Sequence, residues 1–502
     1  MGQTGAPFGS HVGRYHKHMR IPSRLACLAA AALVATAPRG FGQSLPDLGS
    51  VGDATLSPQL ERRLGESIMR DIRFREPSYV DDPEVSEYLA ALGSRLSQAS
   101  IGARQDFEFF AIRDASINAF ALPGGFVGVH TGLISASETE SELASVLAHE
   151  IAHVTQRHIA RMIGQQQQMQ MPMMVALAAA ILLGRSRPDL ASGAAVAAQA
   201  GAVQTQLAYS RDFEREADRL GLRALESAGF DARAMAVFFE KMQRASRVSD
   251  DGTMPGYLRT HPVTIERIAD AQNRAASLPY RQHPDSAEFQ LVRAKLRADQ
   301  GDARDAVSYF DAAVRDGRYA SEAAARYGLA SALLRARRAR DADAEVTRLR
   351  ATGANGPMIE TMAARVKQAL GEQERAAALL ADARKRYPHS RALLYAHVGA
   401  LHEGGRDKDA LAVLTEPMRV YPKDAVLHQL QAKCYATLGK RALQHQAQAE
   451  VYVLQGSLPA AIEQLQLARS AGDGDFYQLS VVDARLKELR SQHAAEVNDA
   501  KR

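Results

Sequence analysis

Residues 149–153 read His149-Glu150-Ile151-Ala152-His153, inside a stretch from Glu138 to Ile163 that holds neither proline nor glycine. The spacing predicts one continuous helix over 138–163. On a helix, residues four apart differ by about 40° in azimuth and one turn in height. His149 and His153 therefore point at one spot and can share a metal. Zinc suits them, because neutral imidazole is a good ligand and zinc accepts a tetrahedral shell. Glu150 falls off that row and beside the metal, where a carboxylate can take a proton from water. Three fixed positions in five also occur by chance on surface helices, so the pair alone decides little.

Glu214-Arg215-Glu216-Ala217-Asp218 follows His153 by 61 residues, in the helical stretch Gln204 to Gly229. Glu214 and Asp218 share one face. Glu214 can be the third ligand, and Asp218 can accept a hydrogen bond from the outer nitrogen of a ligand histidine. Three protein ligands leave one position open, the arrangement of a catalytic site. Glu216 points elsewhere and receives no role. His158, nine residues past His149, lies about 180° around a continuous helix and should face away. His130 ends a strand and receives no role either. His261, in Arg259-Thr260-His261-Pro262, has three readings. It could donate to the oxyanion of a tetrahedral intermediate, act as a removable fourth ligand that blocks the water position, or cap the following helix.

Around this constellation the chain reads as mainly α with a small sheet. Amphipathic helices are expected over Gln59–Phe74 and Pro83–Ala99, and another over Arg259–Ala275 with His-Pro at its start. Phe107 to Ile112 reads as a strand, and Ala119 to His130 as two strands around the turn Pro123-Gly124-Gly125. Gln165 to Met174 is rich in Gln and Met, and the apolar run Met173–Leu183 after it is too short to span a bilayer. The bland reading of that segment is a buried helix or loop. The functional reading is an adaptable lid or a peripheral membrane contact.

From about Ala287 the metal-type motifs stop and a repeat begins. Gly371, Gly405 and Gly439 lie 34 residues apart, as do Tyr387-Pro388 and Tyr421-Pro422. Ala306, Ala376 and Ala410 each sit five residues after a glycine. A 34-residue helix–turn–helix period is the tetratricopeptide signature, and roughly four to six units are expected. Gly301 to Gly371 covers 70 residues, two units plus a small insertion, with no matching glycine between them.

The 502 residues are 46% hydrophobic and 24% charged, with a formal net charge of +5. Ordinary cores can form, and neither a disordered chain nor a multi-span membrane protein is indicated. The small basic excess is spread out, which argues against nucleic acid. Cys27 and Cys434 are the two cysteines, too few for a cysteine-rich metal cluster. Arg14, Lys17, Arg20 and Arg24 precede the apolar run Leu25–Ala37, which reads as an export signal. Cleavage after Ala35-Thr36-Ala37 or near Gly42–Ser44 would place the folded part outside the cytoplasm. The expected organisation is residues 1–43 signal, 44–284 metalloprotease domain and 285–502 repeat domain.

Four motifs in order, NAFALPGGFVGVHTGL from Asn118, HEIAHVTQRH from His149, YSRDFEREAD from Tyr209 and RTHPVTIERI from Arg259, resemble peptidase family M48. With the signal and the repeats, the resemblance is to its periplasmic members and covers nearly the whole chain after the signal. It implies an α+β zincin-type (gluzincin) fold followed by an α-helical tetratricopeptide solenoid. It implies one Zn2+ per chain held by His149, His153 and Glu214, with Glu150 catalytic and Asp218 behind a ligand histidine. Asn118 to Gly125 match the segment beside the site, and Phe120, Ala121 and Leu122 are expected to pair with extended substrate as an edge strand. The substrates implied are unfolded or misassembled outer-membrane proteins in the periplasm, and the implied partner of the repeats is the β-barrel assembly machinery. A chaperone or scaffold with secondary or latent proteolysis is the competing reading.

Overall fold

The computed structural model describes residues 56–103, 105–165, 211–248, 256–281 and 283–499. The expected signal, the Met/Gln-rich segment beyond Gln165 and the apolar run Met173–Leu183 lie outside the described residues. Among the described residues no helix is long and apolar enough to cross a membrane.

Helix α1 (Pro58–Arg75) starts at Ser57, whose hydroxyl accepts from the Leu60 amide at 3.3 Å. Helix α2 (Pro83–Ala99) starts at Asp82, which accepts from the Glu84 and Val85 amides at 3.0 and 3.1 Å. In both a proline opens the first turn, where its missing N–H costs nothing. Strands β1 (Glu108–Ile112), β2 (Ala119–Leu122) and β3 (Phe126–His130) form one sheet in the order β1-β3-β2. β1 runs parallel to β3, and β2 is antiparallel to it across the Pro123-Gly124-Gly125 turn. The outer side of β1 is covered by a bridge from Tyr79 to Ile112 and by the Val80 amide on the Ala111 carbonyl at 3.0 Å. The outer side of β2 has no strand partner among the described residues.

After the short helix α3 (Thr131–Ala136) comes α4 (Glu140–Thr155), which is buried on every face from Glu140 to Val154. Leu143, Val146, Leu147 and Ile151 join Val127 and Val129 of the sheet, Leu89 and Leu92 of α2, and Phe230, Phe238 and Phe239 in one apolar cluster. The uninterrupted helix expected over 138–163 does not form. Arg157 adopts a left-handed φ of 53°, α4 ends at Thr155, and α5 (His158–Gln165) starts in a new direction. The Arg157 guanidinium donates to the Leu56 carbonyl and lies 3.3 Å from Glu61, so tertiary contacts hold a break that no glycine marks.

Helices α6 (Arg211–Ser227), α7 (Arg233–Val248), α8 (Gly256–Thr260) and α9 (Ile265–Ala276) complete this part. The helix expected within Arg259–Ala275 after His-Pro is α9, which starts at Ile265, and the short α8 precedes it, with His261 and Pro262 between the two. Thr264 caps α9, accepting from the Arg267 amide at 3.3 Å, and His261 does not cap it.

After ten intervening residues the repeats begin: α10 (Ala287–Ala298), α11 (Ala303–Arg315), α12 (Glu322–Arg335), α13 (Ala339–Ala351), α14 (Pro357–Ala369), α15 (Gln373–Arg386), α16 (Arg391–Glu403), α17 (Asp407–Val420), α18 (Ala425–Thr437), α19 (Arg441–Leu454), α20 (Leu458–Ser470) and α21 (Phe476–Asp499). Consecutive helices pack in pairs, which turn at Gly301, Arg337, Gly371, Gly405, Gly439 and Gly472. Arg337 lies 34 residues before Gly371, and Ala342, five residues on, is fully buried like Ala376 and Ala410. The unit without a glycine is therefore present, its turn held by an arginine with φ 58°. The apolar cluster that holds α4 continues without a gap through Phe289, Tyr327 and Met362 of the repeats.

Left-handed backbone costs a residue with a Cβ about 1–2 kcal/mol. Gly405 has φ 71° and open space where a Cβ would stand, so Gly405→Ala tests backbone strain alone. Gly405→Ala should lose about 1 kcal/mol and Arg337→Gly should lose nothing or gain up to about 1 kcal/mol in urea unfolding. Equal midpoints for Gly405→Ala and the parent would contradict this account of the turns.

Candidate metal centre

A helix buried on all sides is a costly place for charge, so each polar group on α4 needs a partner. At its start Glu140 accepts from the Ser286 hydroxyl at 2.7 Å, the Ser286 amide at 3.0 Å and the Tyr88 hydroxyl at 3.1 Å. The Glu140 amide donates to Asp285 at 2.7 Å. The first residues of the repeat region thus fix the start of the helix that carries His149, Glu150 and His153.

α6 lies against α4, and Glu214, Asp218 and Gly221 share one of its faces at i, i+4 and i+7. A Cβ at Gly221 would stand 3.0 Å from the His149 amide nitrogen and 3.1 Å from the Ala148 carbonyl carbon. Only glycine lets the two helices approach this closely without a shift.

The approach brings four donors together. His149 Nε2 and His153 Nε2 are 2.9 Å apart. Glu214 places Oε1 3.4 Å from His153 Nε2 and Oε2 3.6 Å from His149 Nε2. His261 Nδ1 lies 3.3 Å from His149 Nε2 and 3.1 Å from Glu214 Oε1. His149, His153, Glu214 and His261 each expose 2% or less of their surface, and their ligand atoms all fall within 4.8 Å of one another. A tetrahedral ion with bonds of about 2.0–2.1 Å sets its nitrogen ligands about 3.3 Å apart. Two imidazoles and a carboxylate, with a third imidazole beside them, fit a divalent metal in chemistry and in spacing.

Behind the donors, Asp218 Oδ1 lies 3.0 Å from His149 Nδ1. Arg267 of α9 donates to both Asp218 oxygens at 2.6 and 2.7 Å, to Glu214 at 2.7 Å and to the Pro262 carbonyl at 2.8 Å. Burial alone would push Glu214 and Asp218 up. Instead the histidines hold Glu214 well below the usual carboxylate range, and His149 with Arg267 holds Asp218 below it. Burial pulls His149 down, but Asp218 and Glu214 carry it to about 9, while burial and the charge on His149 push His153 down. Glu150 is fully buried, 3.4 Å from His261 Nε2, and burial raises its carboxyl against the pull of His261 and His149.

His158 does not face away. The break at Arg157 folds it behind His153, with the two Nδ1 atoms 2.8 Å apart. Its Nε2 lies 3.2 Å from Glu216, which also accepts from Arg161 at 2.8 Å, so the residue left without a role in the motif has two partners. Arg267, Gly221 and His158 were not singled out by spacing. Gly221 was open to discovery, since it continues the face of Glu214 and Asp218.

His130 lies outside the cluster, 2.9 Å from the Ser116 hydroxyl. Asn118 and Phe120 are half-buried, and Ala121 and Leu122 are buried in β2, the strand with the open edge next to α4. The Phe120 ring covers its cross-strand neighbour Gly128, where a Cβ would stand 2.3 Å from the ring.

The family model for peptidase family M48 matches residues 83–275, which contain the four donors, Glu150, Asp218 and Arg267. The chain is 32% identical to the beta-barrel assembly-enhancing protease of Escherichia coli (strain K12), over 93% of this chain and 96% of that protein. The chain belongs to peptidase family M48. It groups with the beta-barrel assembly-enhancing proteases and is a metalloendopeptidase. A protein of Vibrio cholerae named putative beta-barrel assembly-enhancing protease is 41% identical over 54% of this chain, and the match spans about half (55%) of that relative's length. The mitochondrial metalloendopeptidase OMA1 of Arabidopsis thaliana is 28% identical over 45% of this chain and 44% of its own. The cofactor of such an enzyme is a divalent metal, and the donor set described above fits one.

The closeness of α4 and α6 yields a measurable expectation. Gly221→Val should weaken metal binding about tenfold or more in chelator competition, because the helices must part at His149. Unchanged affinity would show that the close approach does not set the ligand spacing.

Proposed function

We propose that the chain is a periplasmic zinc endopeptidase that hydrolyses peptide bonds of misfolded or assembling outer-membrane proteins. The observation that carries this reading is the convergence of His149, His153 and Glu214 on one point, with buried Glu150 beside it and the open edge of β2 alongside. Zinc is the metal that two imidazoles and a carboxylate favour. The names of the relatives support a role in β-barrel assembly, and the export-type N-terminus supports the periplasm. In this reading residues 285–502 form a tetratricopeptide platform that engages the substrate or the β-barrel assembly machinery.

Bound zinc would supply Lewis acidity towards water and a peptide carbonyl. The work of the chain is then to place groups and protons. An extended substrate adds to β2 as a further strand, so main-chain hydrogen bonds to Phe120–Leu122 set its path and Asn118 lies at the strand's start. Glu150 accepts the proton of the attacking water on its carboxylate and passes it to the leaving amine.

One observation favours the scaffold reading. His261 Nδ1 faces the donor cluster rather than the edge of β2, and it completes four donors where catalysis needs three and water. This supports His261 as a removable fourth ligand over an oxyanion donor, so that the resting enzyme is latent.

Glu150→Gln should keep one zinc per chain and lose about 10²–10⁴-fold in cleavage of an unfolded β-barrel protein. Cleavage at the parent rate would sink the assignment. His261→Ala should retain zinc and cleave faster than the parent. A slower His261→Ala enzyme with full zinc would favour the oxyanion role instead.

A further inference from the structure

The outer nitrogen of His153 meets another imidazole, where that of His149 meets the Asp218 carboxylate. The His158 and His153 rings meet edge-on, with centroids 4.8 Å apart and planes at 78°. Their Nδ1 atoms, 2.8 Å apart, are at a distance that requires one proton between them. On its far side His158 Nε2 lies 3.2 Å from Glu216 Oε2, and Arg161 Nη1 lies 2.8 Å from the same oxygen. His158 is fully buried and stacks on Phe213, with ring centroids 4.5 Å apart and planes at 15°. The stack fixes the plane of the ring, and the contacts of its two nitrogens fix which way round it lies.

We propose that His158 is a positioning residue that fixes the metal-binding tautomer of His153, with Glu216 setting the direction of the proton chain. The chain of constraint starts at the surface. Glu216, as a carboxylate, only accepts, so the proton of His158 belongs on Nε2. Nδ1 of His158 is then a lone pair. The proton between the two rings must therefore sit on His153 Nδ1, which leaves His153 Nε2 as a lone pair aimed at Glu214 and His149. The opposite order puts a lone pair of His158 against the Glu216 carboxylate and a proton on His153 Nε2, where no metal can bind. His149 achieves the same result in one step through Asp218. Each ligand histidine is thus oriented by a carboxylate held by an arginine, Asp218 by Arg267 and Glu216 by Arg161, and His158 is the spacer that lets the second carboxylate remain a third exposed.

This rests on His153 being a metal ligand, and the test separates the two ideas. Zinc dissociation constants would be measured by chelator competition on the full chain, with the visible spectrum of the cobalt-loaded protein and the thermal midpoint of the metal-free protein alongside. His158→Phe keeps the flat ring on Phe213 and removes both nitrogens. It should weaken zinc about 10–100-fold and shift the cobalt bands. His158→Asn puts an amide oxygen near the place of Nδ1 and should recover most of the affinity. Glu216→Ala, at the exposed end, should weaken zinc about tenfold with the metal-free midpoint unchanged, and it serves if His158→Phe fails to fold. Parent-like affinity and cobalt spectra in both His158→Phe and Glu216→Ala overturn the proposal, as does a His158→Asn protein no tighter than His158→Phe. A parent chain that binds no zinc, or a His153→Ala chain that binds it as well as the parent, instead overturns the ligand assignment beneath it.

Discussion

Arg267 makes the rest of this site tolerable. Glu214 and Asp218 carry negative charge in a place that water scarcely reaches, and neither belongs there alone. The guanidinium meets both, forks onto Asp218 and is itself 4% exposed. Removing one partner from such a buried pair costs about 3–5 kcal/mol, because the other charge stays behind. The same side chain holds the Pro262 carbonyl, one residue after His261. One cation therefore fixes Glu214 of the donor cluster, the Asp218 carboxylate behind His149, and the loop that presents His261.

The fold is arranged so that those groups cannot drift. α4 is enclosed on all sides, and its first residue is tied to Asp285 and Ser286, where the repeats begin. α2 is tied to the repeats as well. Lys295 of α10 meets Asp82 at 2.5 Å and also Glu84, and Glu87 accepts from the Ala392 amide at 2.9 Å and the Ser390 hydroxyl at 3.0 Å. The repeats act here as a wall of the enzyme, because the same apolar cluster runs through both parts. Helices packed this way are joined to α4 by a common core rather than by a linker alone.

Much of this was legible in the sequence, where a feature depends on residues close along the chain. The faces of His149/His153 and Glu214/Asp218 follow from helical spacing, and the turn at Gly405 from the 34-residue glycine period. What escaped depends on contacts made at a distance. Arg157 and Arg337 adopt left-handed backbone that local chemistry assigns to glycine, and at Arg157 the hold comes from Leu56 and Glu61 about a hundred residues away. The first break brought His158 into the site, and the second gave the expected unit between Gly301 and Gly371 a turn without glycine. Arg267 looked like one more basic residue on an amphipathic helix, since nothing local tells a buried arginine from a solvated one. Periodicity read across an unseen break misplaced His158.

The fourth donor and the open edge share one support. Tyr257 of α8 donates its amide to the Ile117 carbonyl at 3.0 Å, immediately before β2, and Gly256 lies against Asn118 with 3.4 Å between its would-be Cβ and that side chain. The Tyr257 ring stacks on His261, with centroids 4.8 Å apart and planes at 25°, and the His261 amide closes α8 onto the Tyr257 carbonyl at 2.8 Å. His261 cannot leave the cluster as a lone side chain. It must give up a stack on one side and slide past Glu150 on the other, or move with α8. A displacement of α8 would disturb the Ile117–Asn118 segment that leads into β2. One short element of five residues, Gly256 to Thr260, therefore carries both the stack that holds His261 and the hydrogen bond that holds the approach to β2.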